Sequence, residues 1–270
     1  MRWGAGKPCS AAVLILCFLA AACTSPGQRS LQMAAELGVA QRTVAGKDFS
    51  LALFSNRLAD GAEPLHVYVE GDGTPWLGGL PALDPTPREP LALRLMARDT
   101  SAAILLGRPC YHGTGPRMFC DPVWWTDRRY SSQVVDSMAD ALSSLLPVGR
   151  RVTLIGYSGG GVLAVLLAER LAVVDSVVTV AGNLDVDAWT DLHGYDGLAG
   201  SLNPARRSPL PAGIRQVHLA GALDANVPPS LVWSFAARQA DAQVRVFEGF
   251  DHACCWLEAW PGILTGIRRH

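Results

Sequence analysis

The segment Arg151-Val-Thr-Leu-Ile-Gly156-Tyr157-Ser158-Gly159-Gly160-Gly161-Val162-Leu163-Ala164 constrains the fold of this chain more than any other. An apolar, β-branched run breaks at Gly-x-Ser-x-Gly and resumes as an apolar helical pattern, so a strand must turn sharply into a helix with a serine at the bend. Such a bend is strained and its flanks must be small; Gly156 and Gly160 permit the close backbone approach. The serine hydroxyl then stands exposed above the sheet, and the Gly159 amide, opening the helix, can donate to an oxyanion. Without strand and helix around it the five-residue pattern would be a glycine-rich turn with an incidental serine; with them, Ser158 is a candidate nucleophile.

The rest of the chain repeats the strand–helix alternation. Phe49 to Phe54 reads as an edge strand, Leu65 to Glu70 and Ala102 to Leu106 as buried strands, and Glu89 to Arg98 and Ser131 to Leu146 as helices. After the serine come strands over Ser176–Ala181, Ile214–Ala220 and Val244–Phe247, a helix over Pro229–Gln239 and a last helix after Trp256. Near-continuous apolar strands alternating with helices predict an α/β fold, a mostly parallel central sheet with helices on both faces. Two long irregular insertions, 107–130 and 182–213, each follow a strand. They should emerge at the C-terminal edge of the sheet, where open α/β sheets bind ligands. Trp76, Trp124, Trp125, Trp189 and His193 are candidate pocket residues on these and neighbouring loops, although tryptophans there serve equally well to pack a loop onto the body.

The N-terminus reads as an export signal rather than as part of the fold. Arg2 and Lys7 precede an apolar stretch, Ala11 to Ala22, too short to span a bilayer comfortably. The small residues Ala20-Ala21-Ala22 before Cys23 are similar to the lipobox of bacterial lipoproteins, whose cysteine is lipidated after cleavage; Ala20 departs from the leucine or branched residue usual there. The expected organisation is a signal peptide over 1–22, a lipidated Cys23, a tether over 23–47 and one domain over 48–270, facing the periplasm from the cell envelope. Ordinary secretion and a retained anchor are the alternatives. The formal net charge of −1 and the lack of a basic patch exclude nucleic acid as a partner, and the only membrane contact expected is through the N-terminal lipid. In an exported chain Cys110, Cys120, Cys254 and Cys255 favour disulfides. A Cys110–Cys120 loop is the simplest pairing, leaving Cys254 and Cys255 free or joined in a vicinal ring; pairing across the two regions is also feasible, because both should lie at the same end of the sheet. Neither a Cys-x-x-Cys nor a nearby histidine pair suggests a metal site.

A serine hydroxyl needs a base, and the base an orienting carboxylate. His252, in Gly249-Phe250-Asp251-His252-Ala253 beyond the last strand, is the candidate base; His66 and His218 lie in strand rhythm. Asp224, in Gly221-Ala-Leu-Asp224 after the penultimate strand, is the candidate acid. Asp251 is a rival, but a sequence neighbour of the imidazole usually points away from it. The second oxyanion donor should come from the backbone of Asp72 or Gly73, in the loop after Glu70, beside Gly159 as the first. The carboxylates of Glu70 and Asp72 would oppose an oxyanion unless paired or turned away. Glu70 is expected to pair with Arg108, and either acid could instead hold a cationic substrate group.

Taken together, Gly156-Tyr-Ser-Gly-Gly160, Gly221-Ala-Leu-Asp224 and Phe250-Asp-His252, in that order, make residues from about 48 to 270 resemble the α/β-hydrolase superfamily, in a lipoprotein-like bacterial branch of serine hydrolases. The resemblance implies hydrolysis of an ester, thioester or amide through an acyl-serine intermediate, an ester first among them. It implies a small-molecule acyl substrate and neither a metal nor an organic cofactor. It departs from the family in having Glu70-Gly-Asp-Gly73 where His-Gly is usual, and it assigns no role to Ala181-Gly-Asn-Leu-Asp185, Gly200-Ser-Leu-Asn-Pro204 or Cys254-Cys-Trp256. The rival expectation is a non-catalytic envelope lipoprotein that binds a partner or glycan through its tryptophan-rich loops. Substrate and oligomeric state are left open by the sequence.

Overall fold

The computed structural model describes residues 24–56, 64–114, 120–146 and 149–268. The expected signal segment 1–22 and Cys23 lie outside them. An eight-stranded sheet runs in the order β1 (Ala40–Ala45), β2 (Ser50–Ser55), β6 (Ala102–Leu106), β3 (Leu65–Val69), β7 (Val152–Tyr157), β8 (Val174–Val180), β9 (Arg215–Gly221), β10 (Ala242–Phe247). β1 and β2 are antiparallel to each other, β2 is antiparallel to β6, and every other neighbouring pair is parallel. A second, two-stranded hairpin is formed by β4 (Trp76–Leu77) and β5 (Leu80–Pro81). The helices are α1 (Pro26–Glu36), α2 (Leu91–Ala97), α3 (Ser132–Leu145), α4 (Gly159–Ala168), α5 (Val186–His193), α6 (Pro229–Ala236) and α7 (Trp256–Arg268).

The two-residue period of the strands sorts the core onto two faces. Leu65, Val67, Val69, Val152 and Leu154 point into a cluster shared with α3 and α4. Tyr68, Ile155, Val178 and Val217 point the other way, onto α2 and α7. Every residue of α4 is buried, because the helix that leaves the serine packs on β3, β7 and β8 and against α3. On the other face His66 Nδ1 lies 2.5 Å from Asp99, Tyr68 donates to the same carboxylate (2.6 Å), and Trp260 Nε1 donates to the Tyr68 hydroxyl. His66 is therefore a core residue tied to a buried acid.

Two expectations need correction. Residues 24–47 are not a tether. Ser25 caps α1 through a reciprocal bond with Gln28, and β1 is the edge strand of the sheet, which moves β2 one place inward. The polar pattern that suggested a tether belongs to an exposed edge strand with one buried residue, Val44. The second insertion is also more ordered than its composition suggests: Asp185 caps α5, and a 3-10 turn covers Pro204–Arg206. Among the described cysteines Cys110 is joined to Cys120, and Cys254 to its neighbour Cys255. No helix of the described residues is long and apolar enough to cross a membrane.

Candidate active site

Each of the three predicted side chains sits on the turn that follows a parallel strand, so all reach the C-terminal edge of the sheet. Ser158 ends β7 at φ 51°, ψ −122°, a conformation rare for a residue with a Cβ. The bend is held from outside. The Ser158 amide donates to Val180 O (3.0 Å), and its carbonyl accepts from Gly161 and Asn183. The motif glycines are required by close approach: a Cβ on Gly156 would meet the Gly160 carbonyl, and one on Gly160 the carbonyls of Val69 and Glu70. Asp224 follows β9 and His252 follows β10. The two loops meet where Gly221 has no side chain, since a Cβ there would strike the Phe250 and Asp251 carbonyls.

His252 Nδ1 lies 2.9 Å from Asp224 Oδ2, and His252 Nε2 lies 3.0 Å from Ser158 Oγ. A carboxylate accepts only, so Nδ1 carries the proton and Nε2 is left to accept from the serine hydroxyl. The Asp224 side chain is fully buried, and its other oxygen takes the amides of Asn226 (2.9 Å) and Val227 (2.8 Å). Tyr157 covers one face of the imidazole at 5.4 Å. Asp251 instead accepts from the Ala253 and Cys254 amides, bonds that lower its pKa. It caps the turn that carries His252 and leaves the imidazole to Asp224.

The loop after β3 lies over the serine: a Cβ on Gly71 would sit 3.3 Å from Ser158 Cβ. Its carboxylates are arranged differently from expectation. Glu70 does not pair with Arg108. It is 1 % exposed and accepts from the amides of Gly71, Ala92 and Leu93, the last two in the first turn of α2. Burial raises its pKa to about 7 against the pull of these bonds and of the Arg108 charge. Arg108 belongs to Asp72, with Nη1 2.5 Å from Oδ1, while Arg129 Nη1 and the Tyr130 hydroxyl donate to Oδ2 at 3.0 and 2.6 Å. Burial by itself would raise Asp72, but the two guanidinium charges and the Tyr130 bond outweigh it and hold the carboxyl at about 2. Both carboxylates are thus committed to the protein, which removes them as holders of a substrate cation. The Asp72 charge is neutralised where it stands against the start of α4; a Cβ on Gly159 would run into the Asp72 carboxylate and the Tyr130 hydroxyl. Gly73, at φ 65°, turns the chain beneath Pro85 and Pro87.

Above these groups opens a cleft of about 1110 Å³ that includes Ser158, His252, Gly71, Asp72 and Gly73. Trp76 and Trp189 line it as expected, joined by Tyr157, Tyr195 and Leu198. The other expected pocket residues do not. Trp125 is 3 % exposed in the core, and Trp124 stacks edge-on against Phe49 (5.2 Å), so both pack the first insertion onto the body. His193 donates from Nε2 to the Asn226 carbonyl (2.8 Å) and stacks on Tyr195, while Trp189 Nε1 donates to Asn226 Oδ1. It therefore fixes α5 to the loop carrying Asp224. Asn203, in one of the stretches without an assigned role, binds Asp185 and Asp187 through Nδ2 and the Val186 and Ala205 amides through Oδ1. Ser201 and Gly200 bond Asp127, tying the two insertions into one wall. Arg108 was recognised but assigned to the wrong acid, and Arg129, Tyr130 and Asn226 were missed as supports of the site. A sequence pattern carries no mark of them, because their partners are distant in the chain.

No family model matches this sequence, and no curated protein matches it. Solved structures match its fold. A putative hydrolase from Agrobacterium vitis S4 is 16 % identical with a TM-score of 0.60, over 86 % of this chain and 98 % of the other. An esterase from Pyrococcus furiosus is 11 % identical with a TM-score of 0.60, over 87 % and 92 %. Proline iminopeptidase from Mycobacterium smegmatis is 16 % identical with a TM-score of 0.61, over 85 % and 97 %. At these identities the likeness concerns the fold, and the chain has the α/β-hydrolase fold.

Proposed function

We propose that this protein is a serine hydrolase that cleaves an acyl substrate, an ester in the first place, through an acyl-serine intermediate. The observation that carries the reading is the continuous chain Asp224–His252–Ser158, with bonds of 2.9 and 3.0 Å in the order and tautomer that acyl transfer needs. Ser158 Oγ attacks the acyl carbon as His252 Nε2 takes its proton. The imidazolium, held by Asp224, returns that proton to the leaving oxygen or nitrogen. Water then enters by the same route and hydrolyses the acyl-serine. The Gly159 amide, first in its helix and without an intrahelical partner, and the backbone of Asp72 or Gly73 serve as donors to the tetrahedral oxyanion. Neutralising Asp72 with Arg108, Arg129 and Tyr130 lets an acidic residue occupy that loop without repelling the developing charge.

The cleft supports a modest substrate with an apolar portion, seated against Trp76, Trp189 and Tyr195. The similarity in fold to a protein named an esterase and to one named an iminopeptidase is compatible with either oxygen or nitrogen leaving groups. The greater ease of ester cleavage favours the former. The location follows the sequence: a lipid-anchored envelope protein, with the catalytic domain outside the cytoplasm. Pre-steady-state kinetics with chromogenic esters, thioesters and aminoacyl amides test the activity. A burst of one leaving group per chain, lost in Ser158→Ala, is expected for at least the esters. Turnover that survives in Ser158→Ala contradicts the mechanism.

A further inference from the structure

The β4–β5 hairpin exposes apolar side chains that the fold itself does not use. Trp76, Leu77, Leu80 and Leu83 are 51, 58, 71 and 86 % exposed. Gly78 and Gly79 at its tip have open space around them. Residues 74–83 contain no charged side chain. The base is firm, with Ala82 N bonded to Pro75 O and Thr74 N to Pro85 O, both at 2.9 Å. It is thus a fixed projection rather than a fraying loop. It stands at the rim of the cleft, which Trp76 also lines. Large apolar side chains left exposed together on one short hairpin mark an interaction site.

A second observation identifies what covers it. Asp84, the residue after Leu83, receives the Gly27 amide at Oδ2 (2.9 Å) and a bond from the Ser25 side chain. The start of α1 is therefore fastened to the base of the hairpin. The sequence immediately before it carries Cys23 and the apolar stretch Ala11 to Ala22. A chain leaving this point, whether lipidated at Cys23 or retaining its apolar segment, leaves beside the exposed leucines. A second copy seated on the hairpin would occupy the side from which that membrane-directed segment departs.

We propose that the β4–β5 hairpin seats the domain on a phospholipid bilayer, its leucines entering the interfacial layer next to the N-terminal attachment, so that the cleft opens along the membrane surface. The surface it fits is zwitterionic, because the hairpin has no cation to offer a headgroup phosphate. This goes beyond the hydrolase reading but rests on the N-terminal membrane attachment proposed above, which co-flotation of the chain with the vesicles reads separately from the seating of the hairpin.

The full chain is reconstituted in phosphatidylcholine vesicles with a polarity-sensitive fluorescent amino acid at position 80. A second preparation carries it at position 212, exposed ahead of β9 at the opposite edge of the sheet. Nitroxide-bearing phosphatidylcholine should quench the label at 80 several-fold more than the label at 212. The difference should persist in high salt, because it arises from apolar contact. Leu77→Asp with Leu83→Asp, two surface changes outside the cleft, should bring quenching at 80 down to the level at 212. Equal quenching of the two labels overturns the proposal, as does quenching at 80 that the double variant leaves unchanged. Shielding of position 80 that is the same in detergent and rises with protein concentration overturns it in favour of a second copy.

Discussion

Replacing Asp72 by asparagine keeps the shape of the side chain and removes the charge that Arg108 and Arg129 share. Their side chains are 1 and 6 % exposed, so neither guanidinium gains water when its partner is lost. Breaking a buried pair from one side costs about 3–5 kcal/mol, because the remaining charge stays buried. Part of this loss has a recognisable pH dependence. The Asp72 carboxyl lies at about 2 in the fold against an ordinary 3.8, so its ionisation adds about 2 kcal/mol of stability at neutral pH. That contribution is present above 3.8 and disappears as the pH falls toward 2. The stability gap between wild type and Asp72→Asn should therefore be full at pH 6 and shrink by about 2 kcal/mol on acidification, as the wild type loses the same charge. Urea unfolding at a series of pH values, with disulfides intact, measures it. A gap below about 1 kcal/mol at pH 6, or one that stays constant to pH 2, refutes the reasoning that this ion cluster holds the loop over Ser158.

Glu70 should show the opposite sign: burial raises it from 4.5 to about 7, so its contribution is full below pH 4.5 and is lost as the pH rises through 7. Urea midpoints of the wild type should fall across that window by an amount that Glu70→Gln abolishes. Asp224→Asn should lower kcat on the order of 10⁴-fold with native circular dichroism, because the amide no longer fixes the His252 tautomer. Asp251→Asn should retain most activity, since an amide oxygen can still cap the Ala253 and Cys254 amides. The tryptophans should separate by role. Trp125→Ala should destabilise by about 3–5 kcal/mol in urea. Trp76→Ala should leave stability within about 0.5 kcal/mol and raise KM.

The parallel sheet was legible because its strands are apolar runs buried on both faces, and β6 in particular has the bounds the sequence suggests. β1 was not: an edge strand with one buried residue has almost no apolar period, and its place comes from pairing with β2. The β4–β5 hairpin was hidden in the same way, as two short strands in a loop of glycine and proline. For the site, Ser158, Asp224 and His252 could be read from chain order and from the turns that carry them. The partners of the acids could not. Glu70 and Asp72 lie two residues apart in the loop after β3, yet one faces the first turn of α2 and the other the insertion bearing Arg129 and Tyr130. That choice depends on side-chain direction, which sequence order does not encode. The insertion tryptophans divide for the same reason: an indole packs a loop and lines a cleft with equal ease, and only the contact of Trp124 with Phe49 and the burial of Trp125 distinguish these two from Trp76 and Trp189.

The central claim is that Ser158 becomes covalently acylated in an otherwise folded protein. A fluorophosphonate probe, which traps a serine activated by an adjacent imidazole, followed by mass spectrometry of the proteolysed protein, tests it most directly. The account predicts one adduct per chain, on the peptide containing Ser158, absent from Ser158→Ala and strongly slowed in Asp224→Asn. A folded wild type that takes up no probe, or an adduct that persists in Ser158→Ala, contradicts it.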